Sequence, residues 1–238
     1  MMAAPGYSRP HHRRIAQVLR MLDAPLLRDC RCYFGGGTAI VLRHGEYRES
    51  VDIDFIVSDR AGFRELRQRC RQNLQRILHA EQAAALQHGA VRTDQYGIRT
   101  RLWLDDLAIK FEIVSEGRIE LEQPADGDEI AGIATLSRLD MLSTKLLANS
   151  DRWADRGVFS RDLIDLAMMQ APTALVRRAL GKTELAYGTS VRRDLHQAID
   201  YFEQHPDWAD RCLKMLGMAQ PRAVLWSRIR RLRAVPAT

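Results

Sequence analysis

Apolar residues recur at two different periods along this chain, and the change of period divides it. Ile15, Val18, Leu19 and Leu22 fall at helical spacing, so residues 10–23 are predicted to form an amphipathic helix. A short strand from Cys30 to Phe34 runs into three glycines, and a helix is expected from about Thr38. Asp52 to Val57 alternates and marks a central strand. Ser58 or Asp59 stands where it can cap the next helix, whose apolar stripe is Leu66, Cys70, Leu74, Ile77 and Leu78. Residues 91–114 read as β structure, with Thr100–Leu104 and Leu107–Val114 joined by a polar turn at Asp105–Asp106. A further short strand is expected over Gly117–Leu121. From Thr135 the period becomes helical and stays so. Ser190 precedes Val191, Leu195, Ile199 and Phe202 in a helix that ends before Pro206, and Pro221 opens a last helix. That last helix turns Leu225, Ile229 and Leu232 inward and Arg222, Arg228, Arg230, Arg231 and Arg233 mostly outward. A mixed α/β part is thus followed by an all-helical part, the change falling near residues 123–135.

Composition adds exclusions. With 238 residues, 46% of them hydrophobic and 28% charged, the chain has the makings of a soluble globular protein with a sizeable core. No apolar run approaches the roughly 20 residues of a membrane span. Met1–Gly6 lacks the basic and apolar regions of a signal peptide. Cys30, Cys32, Cys70 and Cys212 show no CxxC spacing, so a reducing, cytoplasmic setting is expected. The formal charge is +6, and all of the excess lies in residues 174–238, which hold 12 basic and 6 acidic side chains. A localised arginine-rich region suits nucleic-acid phosphates, and it equally suits a solvated helical surface.

The candidate chemistry sits at the glycines and just after them. Gly35-Gly36-Gly37 fits neither the dinucleotide fingerprint nor the P-loop. A glycine run before a helix can still present N–H groups to an anion, or it can simply allow a tight turn. Asp52 and Asp54 lie two apart in an apolar strand and so share a face. Two carboxylates there suit a pair of divalent cations, the arrangement used in phosphoryl displacement. The alternative is a solvated strand end paired to Arg43 or Arg48. Lys110 and Glu112 share one face of the strand Leu107–Val114. Glu112 joins the aspartates if the two strands are neighbours, where it would hold a metal or act as base; otherwise Lys110 and Glu112 form a surface pair. The seven histidines show no metal-binding spacing and read as incidental.

Together, Gly36-Gly37-Thr38-Ala39-Ile40 and Arg48-Glu49-Ser50-Val51-Asp52-Ile53-Asp54-Phe55 resemble the signature of the AbiEii/AbiGii nucleotidyltransferase toxins, within the DNA polymerase β-like superfamily. The resemblance continues through Ile109–Ile113, a helix bearing Lys145, and Ser160-Arg161-Asp162-Leu163-Ile164-Asp165-Leu166. It covers roughly residues 33–170. It implies an α+β nucleotidyltransferase fold, a mixed β-sheet flanked by helices, with a catalytic domain over 1–134 and a helical domain over 135–238. By position, Gly36, Gly37, Thr38 and Ser50 would serve the nucleotide, while Asp52, Asp54 and Glu112 would ligate two Mg²⁺ ions, with Mn²⁺ as a substitute. Lys145 would neutralise the triphosphate or the leaving pyrophosphate, and Asp162 and Asp165 would orient that lysine or the nucleotide. Two departures from the superfamily pattern are the 14 residues between Gly37 and Asp52, slightly long, and a Glu as third acid.

These downstream residues also have plain structural readings. Asp162 follows a Ser160 N-cap, where a carboxylate favours the helix dipole. Arg161 and Asp165 stand at i,i+4 and can pair. Lys145, one of only four lysines, can be a solvated helix residue.

The activity implied is transfer of a nucleoside monophosphate from an NTP to a hydroxyl, with RNA, at a tRNA 3′ end, as acceptor. The biology implied is the toxin of a bacterial toxin–antitoxin or phage-defence pair, with an antitoxin encoded nearby and no membrane partner. One alternative is a non-catalytic nucleotide- or RNA-binding module on the same fold. Another is an aspartyl-phosphate phosphatase, whose Asp-x-Asp follows its apolar strand, whereas here Phe55-Ile56-Val57 comes after the acids.

Overall fold

Three phenylalanines, one on each of three neighbouring strands, mark the centre of the N-terminal unit. In the computed structural model the described residues are 6–79, 86–105 and 107–234. They divide into two units, Met1–Glu46 with Ser50–Ser137, and Tyr47–Glu49 with Arg138–Thr238. The first unit contains α1 (Pro10–Met21), α2 (Ala24–Asp29), β1 (Cys32–Gly35), α3 (Gly36–Arg43), β2 (Ile53–Val57) and α4 (Arg60–Gln72). It continues with β3 (Gln87–His88), β4 (Arg92–Thr93), β5 (Gly97–Leu104), β6 (Leu107–Ser115), β7 (Glu129–Ile130) and β8 (Ile133–Ala134). The main sheet runs β1-β2-β6-β5-β3, with β4 also on β5; β2 and β6 are parallel and the remaining pairs antiparallel. Phe34, Phe55 and Phe111 pack ring to ring across β1, β2 and β6, with centroids 5.6 and 5.8 Å apart. Such pairs add roughly 0.5–1.5 kcal/mol each beyond their burial. The mixed sheet flanked by helices is the expected fold.

Several local expectations need correction. Helix α2 had no periodic signal; it exists because the Asp23 side chain accepts the Leu26 N–H at 3.0 Å and Pro25 fits the first turn. Helix α4 stops at Gln72 and does not continue through Leu78. Asn73 is extended there and starts a 3₁₀ turn over Leu74–Ile77, although Leu74, Ile77 and Leu78 are still buried. Residues 117–121 form no strand. The Glu116 carboxylate takes the Arg118 N–H and Ser58 Oγ takes the Leu121 N–H, so backbone donors are met by side chains and not by a ladder. At the β5–β6 turn Asp105 has φ 53°, and Asp106 lies outside the described residues, as do Met1–Pro5.

The second unit is helical: α5 (Arg138–Arg152), α6 (Arg161–Met168), α7 (Thr173–Tyr187), α8 (Ser190–Gln204), α9 (Pro206–Met215) and α10 (Arg222–Leu232). Pro206 ends α8 and opens α9 in one step, since its missing N–H is harmless at a first position. Leu225, Ile229 and Leu232 of α10 are buried as their spacing requires. Several outward arginines of this region meet acids: Arg222 meets Asp210, and Arg233 meets Asp200 and Glu203. Among the described residues no helix is long and apolar enough to cross a membrane.

Candidate functional site

In the sheet's register Gly35 pairs with Asp54, Asp54 with Glu112, and Glu112 with Arg99. Residues paired in register share a face, so Asp54 and Glu112 stand side by side on neighbouring strands. Ile53, Phe55 and Val57 fill the opposite, buried face, which leaves Asp54 only part-covered. Asp52 comes just before β2, outside the ladder.

Gly36 begins α3 with φ +67°, and a Cβ on it would lie 2.5 Å from Asp54 Oδ2 and 2.9 Å from Asp54 Cβ. The chain thus turns hard against the Asp54 side chain, and only glycine permits that approach. The first N–H groups of α3, from Gly36 and Gly37 onward, have no partner within the helix. Thr38 is buried and shares a 2.8 Å hydrogen bond with the Ser50 hydroxyl. The glycines, Thr38, Ser50 and Asp54 are therefore one neighbourhood.

Glu112 is already engaged. Arg99 Nε donates to its Oε1 at 2.8 Å, and Lys110 Nζ pairs with its Oε2. The surface-pair alternative for Lys110 and Glu112 is thus present in the structure, with Arg99 added. Of the two arginines named as possible partners of the aspartates, Arg43 binds Asp128 and Arg48 binds Asp165. Among the described residues no three His, Cys, Asp or Glu side chains stand together as a metal-ligating group. By donor type, the carboxylates of Asp52, Asp54 and Glu112 fit Mg²⁺, which takes hard oxygen ligands. A cleft of about 740 Å³ opens in this unit, lined by Asp52, Arg92, Arg99, Arg101, Trp103 and Lys110. Its four cations and one acid favour an anionic occupant.

The remaining candidates lie in the helical unit as one buried ionic network. Lys145 Nζ is 2.7 Å from Asp162 Oδ1 and 2.8 Å from Asp165 Oδ2. Arg152 binds both oxygens of Asp162 at 2.6 and 2.9 Å. Arg48 binds both oxygens of Asp165 at 2.7 and 2.8 Å, and the Tyr47 hydroxyl donates to Asp165 at 2.6 Å. Burial pushes the Asp165 carboxyl up, but Arg48 and Lys145 outweigh it and hold the group below the usual aspartate range. Asp162 is held down in the same way by Lys145 and Arg152. For Arg48, burial acts to weaken its hold on the proton and Asp165 more than restores it.

Several structural readings from the sequence are overturned here. Lys145 is not a solvated helix lysine; it is 5% exposed. Asp165 pairs with Arg48 and Lys145, not with Arg161. Ser160 makes no side-chain cap; it has φ 49°, and its hydroxyl accepts the Trp208 Nε1 proton at 2.9 Å. Tyr47, Arg48 and Arg152 were missed as partners of the two aspartates. The available signal was that an Asp162/Asp165 pair in an apolar helix turn needs more cations than Lys145 alone.

The family model described as "Nucleotidyl transferase AbiEii toxin, Type IV TA system" matches residues 19–232. Among curated proteins none matches. The fold is similar to the crystal structure of JHP933 from Helicobacter pylori, with a TM-score of 0.54 and 16% identity over 96% of this chain and 94% of that one. A second H. pylori protein, provisionally assigned as a nucleotidyltransferase, gives 0.53 and 15% identity over 94% and 93%.

Proposed function

We propose, from the premise that this chain belongs to the AbiEii nucleotidyl transferase toxin family of type IV toxin–antitoxin systems, that it moves a nucleoside monophosphate from an NTP to an RNA hydroxyl with Mg²⁺. The observation that carries this reading is the packing of Gly36 against Asp54, with Glu112 beside Asp54 in register. A phosphate-cradling turn and a pair of carboxylates are thereby joined in one construction.

In this mechanism the α3 N–H groups and the Thr38–Ser50 pair hold the phosphate tail. The acceptor oxygen attacks the α-phosphorus, the bond to the bridging oxygen breaks, and pyrophosphate leaves with that electron pair. Glu112 or Asp54 takes the hydroxyl proton. Asp52, Asp54 and Glu112 would hold Mg²⁺, which when bound supplies charge neutralisation at the phosphates and a more acidic hydroxyl. The cationic cleft beside Asp52 is where the acceptor backbone is held, and a tRNA 3′ end is its most fitting occupant. By the family pattern Lys145, held between Asp162 and Asp165, would be the cation that balances pyrophosphate. An antitoxin encoded nearby restrains the activity in the cell, in the manner of a toxin–antitoxin or phage-defence pair.

Incubation of the wild type with each labelled NTP, total RNA and Mg²⁺ tests the reading. Label should enter RNA, and Asp54→Ala should abolish it. Absence of transfer from every nucleotide, with wild type and variant alike, defeats the proposal.

A further inference from the structure

Because Asp52 lies outside β2, the strand ladder does not fix it, and the segment before it is held from α1. His11 Nε2 meets the Val51 carbonyl at 3.2 Å, and His12 Nε2 accepts the Ser50 N–H at 3.2 Å. His12 is fully buried, and its Nδ1 lies 2.8 Å from Glu46 Oε1. These two bonds assign the tautomer: a nitrogen that accepts from an N–H carries no proton, so the proton sits on Nδ1 and points at Glu46.

Glu46 is itself held in place. It accepts the Ser8 N–H at 2.7 Å, the Ser8 hydroxyl at 2.8 Å and the Arg9 N–H at 3.1 Å. Those backbone donors, with His12, overcome burial and keep its carboxyl at about 2. Glu46 thereby anchors Ser8 and Arg9, the two residues that lead into α1, and Arg9 at the N-cap makes no side-chain cap of its own. At the other end, Ser50 Oγ meets Thr38. An unbroken chain of hydrogen bonds thus runs Glu46–His12–Ser50–Thr38, and Asp52 follows Ser50 by two residues.

We propose that His12 and Glu46 are positioning residues, which fix Ser50 and the Asp52 that follows it so that this carboxylate is presented for metal. The inference rests on reading Asp52 as a ligand of Mg²⁺. Partners that orient ligands from behind typically carry 10–100-fold in metal affinity or activity.

The full-length chain tests it through Mn²⁺ affinity by EPR titration, NTP KM and kcat, and thermal unfolding. His12→Asn keeps a donor toward Glu46 but leaves the Ser50 N–H without an acceptor; His12→Gln extends an oxygen toward it. His12→Asn should weaken Mn²⁺ binding about 10-fold or more and lower kcat in step. His12→Gln should recover most of both, and Glu46→Gln, at the outer end of the chain, should give the same pattern at smaller size even if His12→Asn does not fold. Variants that lose only melting temperature, with Mn²⁺ affinity and kcat of the folded protein intact, overturn the inference while the reading of Asp52 stands. A wild type that binds no Mn²⁺ overturns that reading and the inference with it.

Discussion

At the scale of single residues, two glycines with positive φ separate a functional constraint from a merely conformational one. Gly45 has φ +82° and open space around its Cβ position, so Gly45→Ala should cost only about 1–2 kcal/mol of backbone strain and leave transfer intact. Gly36 has φ +67° and would place its Cβ against Asp54 Cβ, an atom fixed by the strand, as well as against Oδ2. Gly36→Ala must therefore displace Asp54, and label transfer should fall about 100-fold or more, as expected when a reacting geometry shifts by an ångström. Equal loss in both variants, measured per folded molecule, would contradict this. Asp165 poses a different problem. Asp165→Asn leaves Arg48 and Lys145 short of countercharge in a dry interior, a loss of about 3–5 kcal/mol in urea unfolding. The sign with pH follows from the depressed carboxyls of Asp162 and Asp165. Their stabilisation is complete above the ordinary aspartate pKa of about 3.9 and is lost as pH falls below it toward their folded values. Wild-type melting temperature should thus drop steeply below about pH 4, while Asp165→Asn starts lower and changes less.

At the scale of elements, close backbone approach decides what packs. A Cβ on Gly62 would lie 2.1 Å from the Cys30 carbonyl oxygen, so the start of α4 touches the chain leading into β1. Gly62→Ala should shift α4 and destabilise the N-terminal unit by about 1–3 kcal/mol, readable in its urea midpoint; no change would show that α4 is free to move. This contact has no sequence signal beyond a glycine in a helix, and it illustrates what was legible and what was not. The strands β2 and β6 were legible because alternation is local, and so was the Gly36–Asp54–Glu112 grouping, once the strands are neighbours. Helix α2 and the break at Asn73 were not, because single side-chain caps set them without any period. The buried bonding of His12 was not legible either, although it falls on the apolar stripe with Ile15 and Leu19; a polar group there calls for buried partners, and these came from 34 and 38 residues away. The partners of Asp162 and Asp165 were hidden for the same reason, since Arg48 reaches Asp165 across 117 residues.

At the scale of the whole molecule, the four cysteines report which unit opens. All are free and buried, three in the first unit and only Cys212 in the second. Burial raises their thiol pKa values, to about 11 for Cys30 and about 12 for Cys70 and Cys212. Thiolate is the reacting form, so the native chain at pH 8 should resist iodoacetamide at all four positions while the urea-unfolded chain takes up four adducts. The Cys212 thiol contacts Ser160, which also receives the Trp208 proton and sits one residue before α6. Asp162 and Asp165 are on α6, so weakening their ionic network loosens the start of that helix, beside the Ser160 that the Cys212 thiol touches. In Asp165→Asn at pH 8, Cys212 should therefore be alkylated first, with Cys30, Cys32 and Cys70 still protected, as peptide mass mapping would resolve. Simultaneous labelling of all four would mean that the two units open together and that the buried network stabilises the entire chain, not the helical unit alone.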